Sequence, residues 1–198
     1  ARTRMVGPFI FFDHFGPMVF RAGGGLDVRP HPHIGLATVS YLFDGEIMHR
    51  DSLGTAVAIR PGEINWMTAG RGIVHSERSP EQARKGGGGL AGLQLWVALP
   101  AAHEETAPTF AHHGADAIPA TEAHGVAIRV IVGEMEGLRS PVETLSAMIY
   151  AEIALAAGSR YRIPTDQEER ALYVLGGTIT IGGEAFAASE RGRRKPGA

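Results

Sequence analysis

Glycine and proline interrupt this chain so often that long helices have no room. Its 198 residues include 27 glycines and 12 prolines spread throughout, and between them lie short segments rich in β-branched and aromatic residues. Glycine supplies the positive φ that tight turns need and proline withholds a backbone donor, so such segments read as the strands of a barrel or sandwich. The expected strands are 7–12, 37–43, 46–50, 56–59, 64–68, 72–77, 93–98, 127–133, 148–155, 171–175 and 178–181. Asp44-Gly45, Gly176-Gly177 and Gly182-Gly183 are hairpin signals between them. The stretch SPEQARKGGGGLAG at 79–92 reads as a flexible surface loop, because no helix start follows its four glycines to make a phosphate cradle. The class is all-β.

Composition narrows the chemistry. A hydrophobic content of 44% can bury a core, while a net charge of −2 with a pI near 6.5 gives no reason to expect nucleic acid as a direct partner. There is no cysteine, so any bound metal must be held by histidine nitrogen and carboxylate oxygen. The longest apolar runs, GPFIFF and LQLWVALP, fall well short of the roughly 20 residues of a membrane helix. The opening residues ARTRMVGPFIFFDHFGP lack the pattern of a signal peptide and are read as the clipped start of a cytoplasmic protein with no membrane partner.

An internal repeat suggests two barrels. YLFDGEI at 41–47 matches YVLGGTI at 173–179, with aromatic and aliphatic positions in register across a hairpin. The expected organisation is an N-terminal metal-binding barrel over 1–100, a connector over 101–125 where the hydrophobic period vanishes, and a second barrel over 126–198. Extending the register places Ile163 opposite His31 and Thr165 opposite His33, so the second copy has no imidazoles at these positions.

RPHPHIGLATVSYLFDG at 29–45 carries His31 and His33, and GRGIVHSERSP at 70–80 carries His75 and Glu77 at the same spacing. In a strand, residues i and i+2 share a face with Cα atoms about 6.7 Å apart, so both side chains can converge on one ion through bonds of about 2 Å. Three imidazoles and one carboxylate from two strands make a complete protein contribution to a divalent first-row metal, with positions left open. A single His-x-His is as often a surface feature; a second same-face pair favours the metal. His103, His112, His113 and His124 lie in or beside the connector and read as solvated, and His49 is either a donor behind the ligands or a satisfied polar residue.

These segments resemble the cupin superfamily and, within it, the pirin family. Gly25, His31, His33 and Gly45 are similar to the first cupin motif, with Thr38 at the usual glutamate position and Glu77 restoring the carboxylate. PFIFFDHFGP, HPHIGLATVSYLFDGEIMHRDSLG, IRPGEINWMTAGRGIVHSE and LQLWVALP read as consecutive pirin-like blocks, and the resemblance covers about residues 5–188. It implies a bicupin fold with a metal-free second barrel, and His31, His33, His75 and Glu77 as ligands. Fe(II) is the metal implied, with Ni, Co, Mn, Cu or Zn as other first-row choices. Pirin-like chains continue with further strands after YVLGGTITIGGEAFAA, whereas this one has the basic tail SERGRRKPGA; the second barrel is therefore expected to be incomplete, from truncation or a frame shift.

The resemblance implies two functions. One is a quercetin 2,3-dioxygenase-like oxidoreductase that takes a small aromatic substrate and dioxygen, with Glu77 as the base. The other is an iron-dependent, redox-responsive module that binds a transcription factor or metabolic enzyme as a protein partner. Phe11, Phe12, Trp66 and Met67 are candidates for closing the pocket, though each is more often core, and Asp13 and His14 for lining the barrel mouth, where turn capping is the plainer role.

Overall fold

The computed structural model describes residues 5–164 and 168–188. Strands dominate the described residues. In chain order they begin with β1 (Phe9–Phe20), β2 (Asp27–His33), β3 (Leu36–Asp44), β4 (Ile47–Asp51), β5 (Ala56–Ile59), β6 (Ile64–Thr68) and β7 (Ile73–Arg78), followed by the short helix α1 (Glu81–Gly86), β8 (Gly88–Ala98) and β9 (Thr109–His113). They form a five-stranded sheet in the order β1-β8-β3-β6-β9 and a four-stranded sheet in the order β2-β7-β4-β5.

The two sheets lie face to face. In β3, Thr38, Ser40 and Leu42 alternate with Ala37, Val39 and Tyr41, and both sets are buried, so the strand is covered on both sides. The Ser40 hydroxyl donates to Glu77 Oε1 on β7 at 3.2 Å, which fixes that side of the five-stranded sheet against the four-stranded one. Ala37, Val39 and Tyr41 face the other way, packing with Ile64, Trp66, Leu93, Leu95 and Val97 and with downstream residues that include Ile118, Ile131, Val132 and Met148.

The downstream residues are again β-structure. β10 (Ala120–Ala123), β11 (Val126–Val132) and β14 (Tyr150–Leu155) form a three-stranded sheet; β12 (Glu134–Met135) pairs with β13 (Leu138–Arg139), and β15 (Thr178–Ile181) with β16 (Glu184–Ala187). The all-β class expected from the residues is the class observed, and the strands before and after residue 118 form separate sheets, in line with the two-unit organisation that the resemblance implies. Among the described residues no helix is long and apolar enough to cross a membrane.

Several local expectations need correction. The loop expected over 79–92 is instead helix α1 and the first turns of the sheet along β8, which starts at Gly88. Its glycines serve close approach rather than flexibility: a Cβ on Gly89 would overlap the Asp44 carboxylate, and one on Gly92 would meet the Tyr41 carbonyl and the Phe15 ring. Residues 171–175, expected as a strand, join no ladder, and Tyr173 instead packs its ring against Phe12 and His14. β2, whose prolines break the alternation, is missing from the expected strand ranges, although the His31–His33 spacing presumes a strand there. The segment 101–125, read as a connector, contributes β9 to the five-stranded sheet and β10 to the downstream one. Ile163 lies outside any strand, while Thr165 and the tail at 189–198 fall outside the described residues.

Ile131 is fully buried where the five-stranded sheet meets the downstream strands. Ile131→Ala is expected to lower unfolding free energy by about 2–5 kcal/mol in a urea melt, from lost burial plus the cavity left behind.

Candidate metal centre

The site starts from one antiparallel pairing. β2 lies at the edge of the four-stranded sheet, which is why Pro30 and Pro32 are tolerated on either side of His31: their missing donors fall where a ladder is not required on both sides. In the β2–β7 register His31 stands directly opposite His75, with His33 two residues further along. Alternation along β7 then turns His75 and Glu77 inward while Val74 and Arg78 face out.

The three imidazoles form a compact group. Ring centroids are 4.4 Å apart for His31–His75 and 5.0 Å for both His31–His33 and His33–His75. One ligating nitrogen from each lies within 4.8 Å of the others. His33 Nε2 and His75 Nε2 are buried without any hydrogen-bond partner, a costly condition unless something else takes the lone pair. His31 Nδ1 lies 2.9 Å from the Arg29 carbonyl. A carbonyl only accepts, so Nδ1 carries the proton and Nε2 is left as a lone pair. This donor set fits a divalent first-row ion.

Burial favours the neutral form of His33 and His75. His75 is pushed down to about 3, first by burial and then by the imidazoles of His31, His49 and His33. Burial and the neighbouring His31 also lower His33. A neutral imidazole is the ligating form, so proton competition at the centre is weak near neutral pH.

Glu77 is buried but its carboxylate is not within the mutual distance that groups the three histidines. Burial raises its pKa, opposed by His49, by the hydrogen bond from Ser40, by His31 and by a hydrogen bond from Gln94. His49, opposite Glu77 in the ladder, is buried with its Nε2 3.0 Å from Asp51 Oδ2 and its Nδ1 3.4 Å from His75 Nδ1. Phe110 stacks on the His49 ring at 4.3 Å. Burial alone would raise Asp51, yet hydrogen bonds from His49, Thr55 and Leu53 hold it below the usual carboxylate value.

The other expected residues divide by strand face. Trp66 points away from the imidazoles, into the cluster shared with Ile131, and donates its indole N–H to Thr68 Oγ1 at 3.1 Å. Met67, on the opposite face of the same strand, packs with Ala69, Ile73 and Phe110. Phe11 stacks on Trp96 at 4.4 Å, whereas Phe12 and His14 turn to Tyr173, with His14 Nδ1 2.9 Å from its hydroxyl. Asp13 is exposed and pairs in register with Gln94. His112, expected to be solvated, is half-buried and bonded through Nδ1 to Asn65 Oδ1 at 2.8 Å.

Four residues around the centre escaped the sequence reading: Trp96, whose ring centroid is 5.2 Å from that of His33, and Ser40, Asp51 and Phe110. Only Asp51 left a signal, the same i, i+2 spacing from His49 that relates His31 to His33 and His75 to Glu77.

A histidine triad on the inner face of paired antiparallel sheets, followed by a second β-unit, defines a cupin-type fold with a site for a divalent metal. The family model for Pirin matches residues 1–97. A pirin-like protein of Caulobacter vibrioides is 46% identical over 98% of this chain and 68% of its own. The chain belongs to the pirin family. Two crystal structures of quercetin 2,3-dioxygenase from Acinetobacter baumannii are similar, one at a TM-score of 0.72 and 41% identity over 78% of this chain and 50% of its own, the other at 0.80 and 28% over 92% and 65%. The chain therefore spans between half and about two thirds of these proteins' lengths.

Two outcomes are expected. His31→Ala should abolish stoichiometric metal binding measured by elemental analysis after dialysis; retained metal would remove His31 from the ligand set. Because His75 is held neutral in the fold down to about pH 3, but takes a proton near 6.5 when unfolded, the unfolded chain binds more protons in between. Metal-free protein should thus lose stability as pH falls below 6.5, approaching about 1.4 kcal/mol per pH unit for this one group. Urea melts at pH 7.5 and 5.0 measure the loss, and His75→Gln should flatten it.

Proposed function

We propose that this protein is a metal-dependent dioxygenase that opens flavonols such as quercetin, with Fe(II) held by His31, His33, His75 and Glu77. The observation that carries the reading is the pair of buried, unpartnered Nε2 atoms on His33 and His75 beside a carboxylate kept basic by burial. The description of two similar structures as quercetin 2,3-dioxygenase supports the choice of substrate.

When bound, such an ion supplies Lewis acidity and a redox-active centre next to the substrate. The chain's own residues do the rest. Three neutral imidazoles and one carboxylate would leave a divalent ion net positive, so the centre favours an anionic oxygen such as the enolate or phenolate of a flavonol. Glu77 takes the substrate's hydroxyl proton: its raised pKa brings it nearer to neutrality, where a base is most effective. Ser40 and Gln94 donate to that carboxylate and hold it in place. Trp96, with Phe11 stacked on it, offers an apolar surface beside His33 for a planar aromatic ring and helps to keep water out.

Anaerobic loading with Fe(II), followed by oxygen-electrode recordings on adding quercetin, tests the proposal. Oxygen uptake should depend on both iron and His75. Glu77→Gln should lower kcat by roughly 10²- to 10⁴-fold, the usual contribution of a positioned base. Stoichiometric iron with no uptake from quercetin would overturn the dioxygenase reading in favour of a regulatory iron module.

A further inference from the structure

One buried chain of contacts behind the triad has no part in the chemistry above: Asp51 to His49 to His75. The Asp51 side chain is 0% exposed, and its Oδ1 accepts from the backbone N–H groups of Leu53 at 2.9 Å and Thr55 at 3.0 Å. Its Oδ2 lies 3.0 Å from His49 Nε2. An ionised carboxylate only accepts, so His49 Nε2 must carry the proton. A neutral imidazole has a single N–H, and His49 Nδ1 is then a bare lone pair. That lone pair lies 3.4 Å from His75 Nδ1, which can bond to it only by donating. The proton of His75 is thereby on Nδ1, and its Nε2 is left bare. Nε2 of His75 is the atom found buried without a partner.

We propose that Asp51 and His49 are positioning residues that lock His75 in its Nδ1–H tautomer and so present Nε2 as the ligating atom. The proposal rests on the reading that the histidine triad holds a divalent ion. Two further observations fit the lock. Phe110 stacks on His49 with an interplanar angle of 21°, which fixes the plane of the intermediate ring. His31 reaches the same tautomer by a separate route, through the Arg29 carbonyl, so two of the three imidazoles are oriented by acceptors behind them. Partners of this kind set which ring nitrogen is free and how basic it is.

The test exploits a substitution that reverses the chain of donors. In Asp51→Asn the side-chain oxygen can still accept from Leu53 and Thr55, but the amide now donates to His49 Nε2. His49 Nδ1 must then carry the proton and donate to His75 Nδ1, which forces the His75 proton onto Nε2. Asp51→Ala removes both the lock and the turn without imposing the wrong tautomer. Affinity for Co(II), read by chelator competition and by the visible spectrum of the bound ion, should fall about 10- to 100-fold in Asp51→Asn. It should fall less in Asp51→Ala, although thermal melting of the metal-free proteins should rank Asp51→Ala as the less stable. Affinity that follows stability instead, with Asp51→Ala the weaker binder, would overturn the proposal, as would an unchanged affinity in Asp51→Asn. In a His49→Phe background Asp51→Asn should cost nothing further in affinity, because the relay is already broken; an undiminished loss there overturns it as well.

A second measurement needs no variant at those positions. Long-range proton–nitrogen correlation spectra of the metal-free parent protein, with His75→Gln used only for assignment, should show His75 as the Nδ1–H tautomer; the Nε2–H form would overturn the lock. The two readings fail separately. Tight Co(II) binding with His75 in the Nε2–H form removes the lock and leaves the metal centre. The Nδ1–H form in a protein that binds no Co(II) removes the metal centre and leaves the tautomer assignment standing.

Discussion

The antiparallel ladder between β2 and β7 is the contact on which the centre depends. It sets His31 opposite His75 and leaves His33 on the same face. A slip of one residue would turn either pair outward, because strand side chains alternate with a period of two. The ladder forms at a sheet edge, where the prolines beside His31 cost little, and its other side is held by β4, which brings His49 and Asp51 to the back of His75.

The five-stranded sheet changes the chemistry of what that ladder assembles. On an open sheet the imidazoles would titrate near their ordinary value; covered by Ser40, Trp96 and their neighbours, His33 and His75 are driven towards the neutral form and Glu77 towards protonation. Both shifts come first from burial. The same desolvation makes unpaired nitrogens expensive, so the fold carries a local penalty that a bound cation would relieve.

The downstream strands act on the opposite side of the five-stranded sheet. Val39, Trp66 and Leu95 are buried there against Ile131, Val132 and Met148, so β3, β6 and β8 are covered on both faces. Strands held in this way are rigid supports for the residues on their inner face. Glycine at positions 89 and 92 lets β8 approach β3 closely enough for this packing.

Much of this was legible without coordinates. Alternation and turn chemistry sufficed to place β5, β6 and β15 to the residue, and the paired i, i+2 spacings picked out His31, His33 and His75, because period and ligand type are local properties. What only the tertiary structure decided was which face each strand buries and against what. Trp66 and Met67 are neighbours in sequence, yet they point to opposite sides of one sheet. The glycine run at 86–89 signals flexibility locally, yet its Gly88 and Gly89 join β8, paired with β1, and Gly89 lies against Asp44. Trp96 beside His33, the Asp51–His49 pair behind His75 and Phe110 stacked on His49 come from three different strands, and the burial that lowers His33 and His75 exists only once both sheets have closed over them.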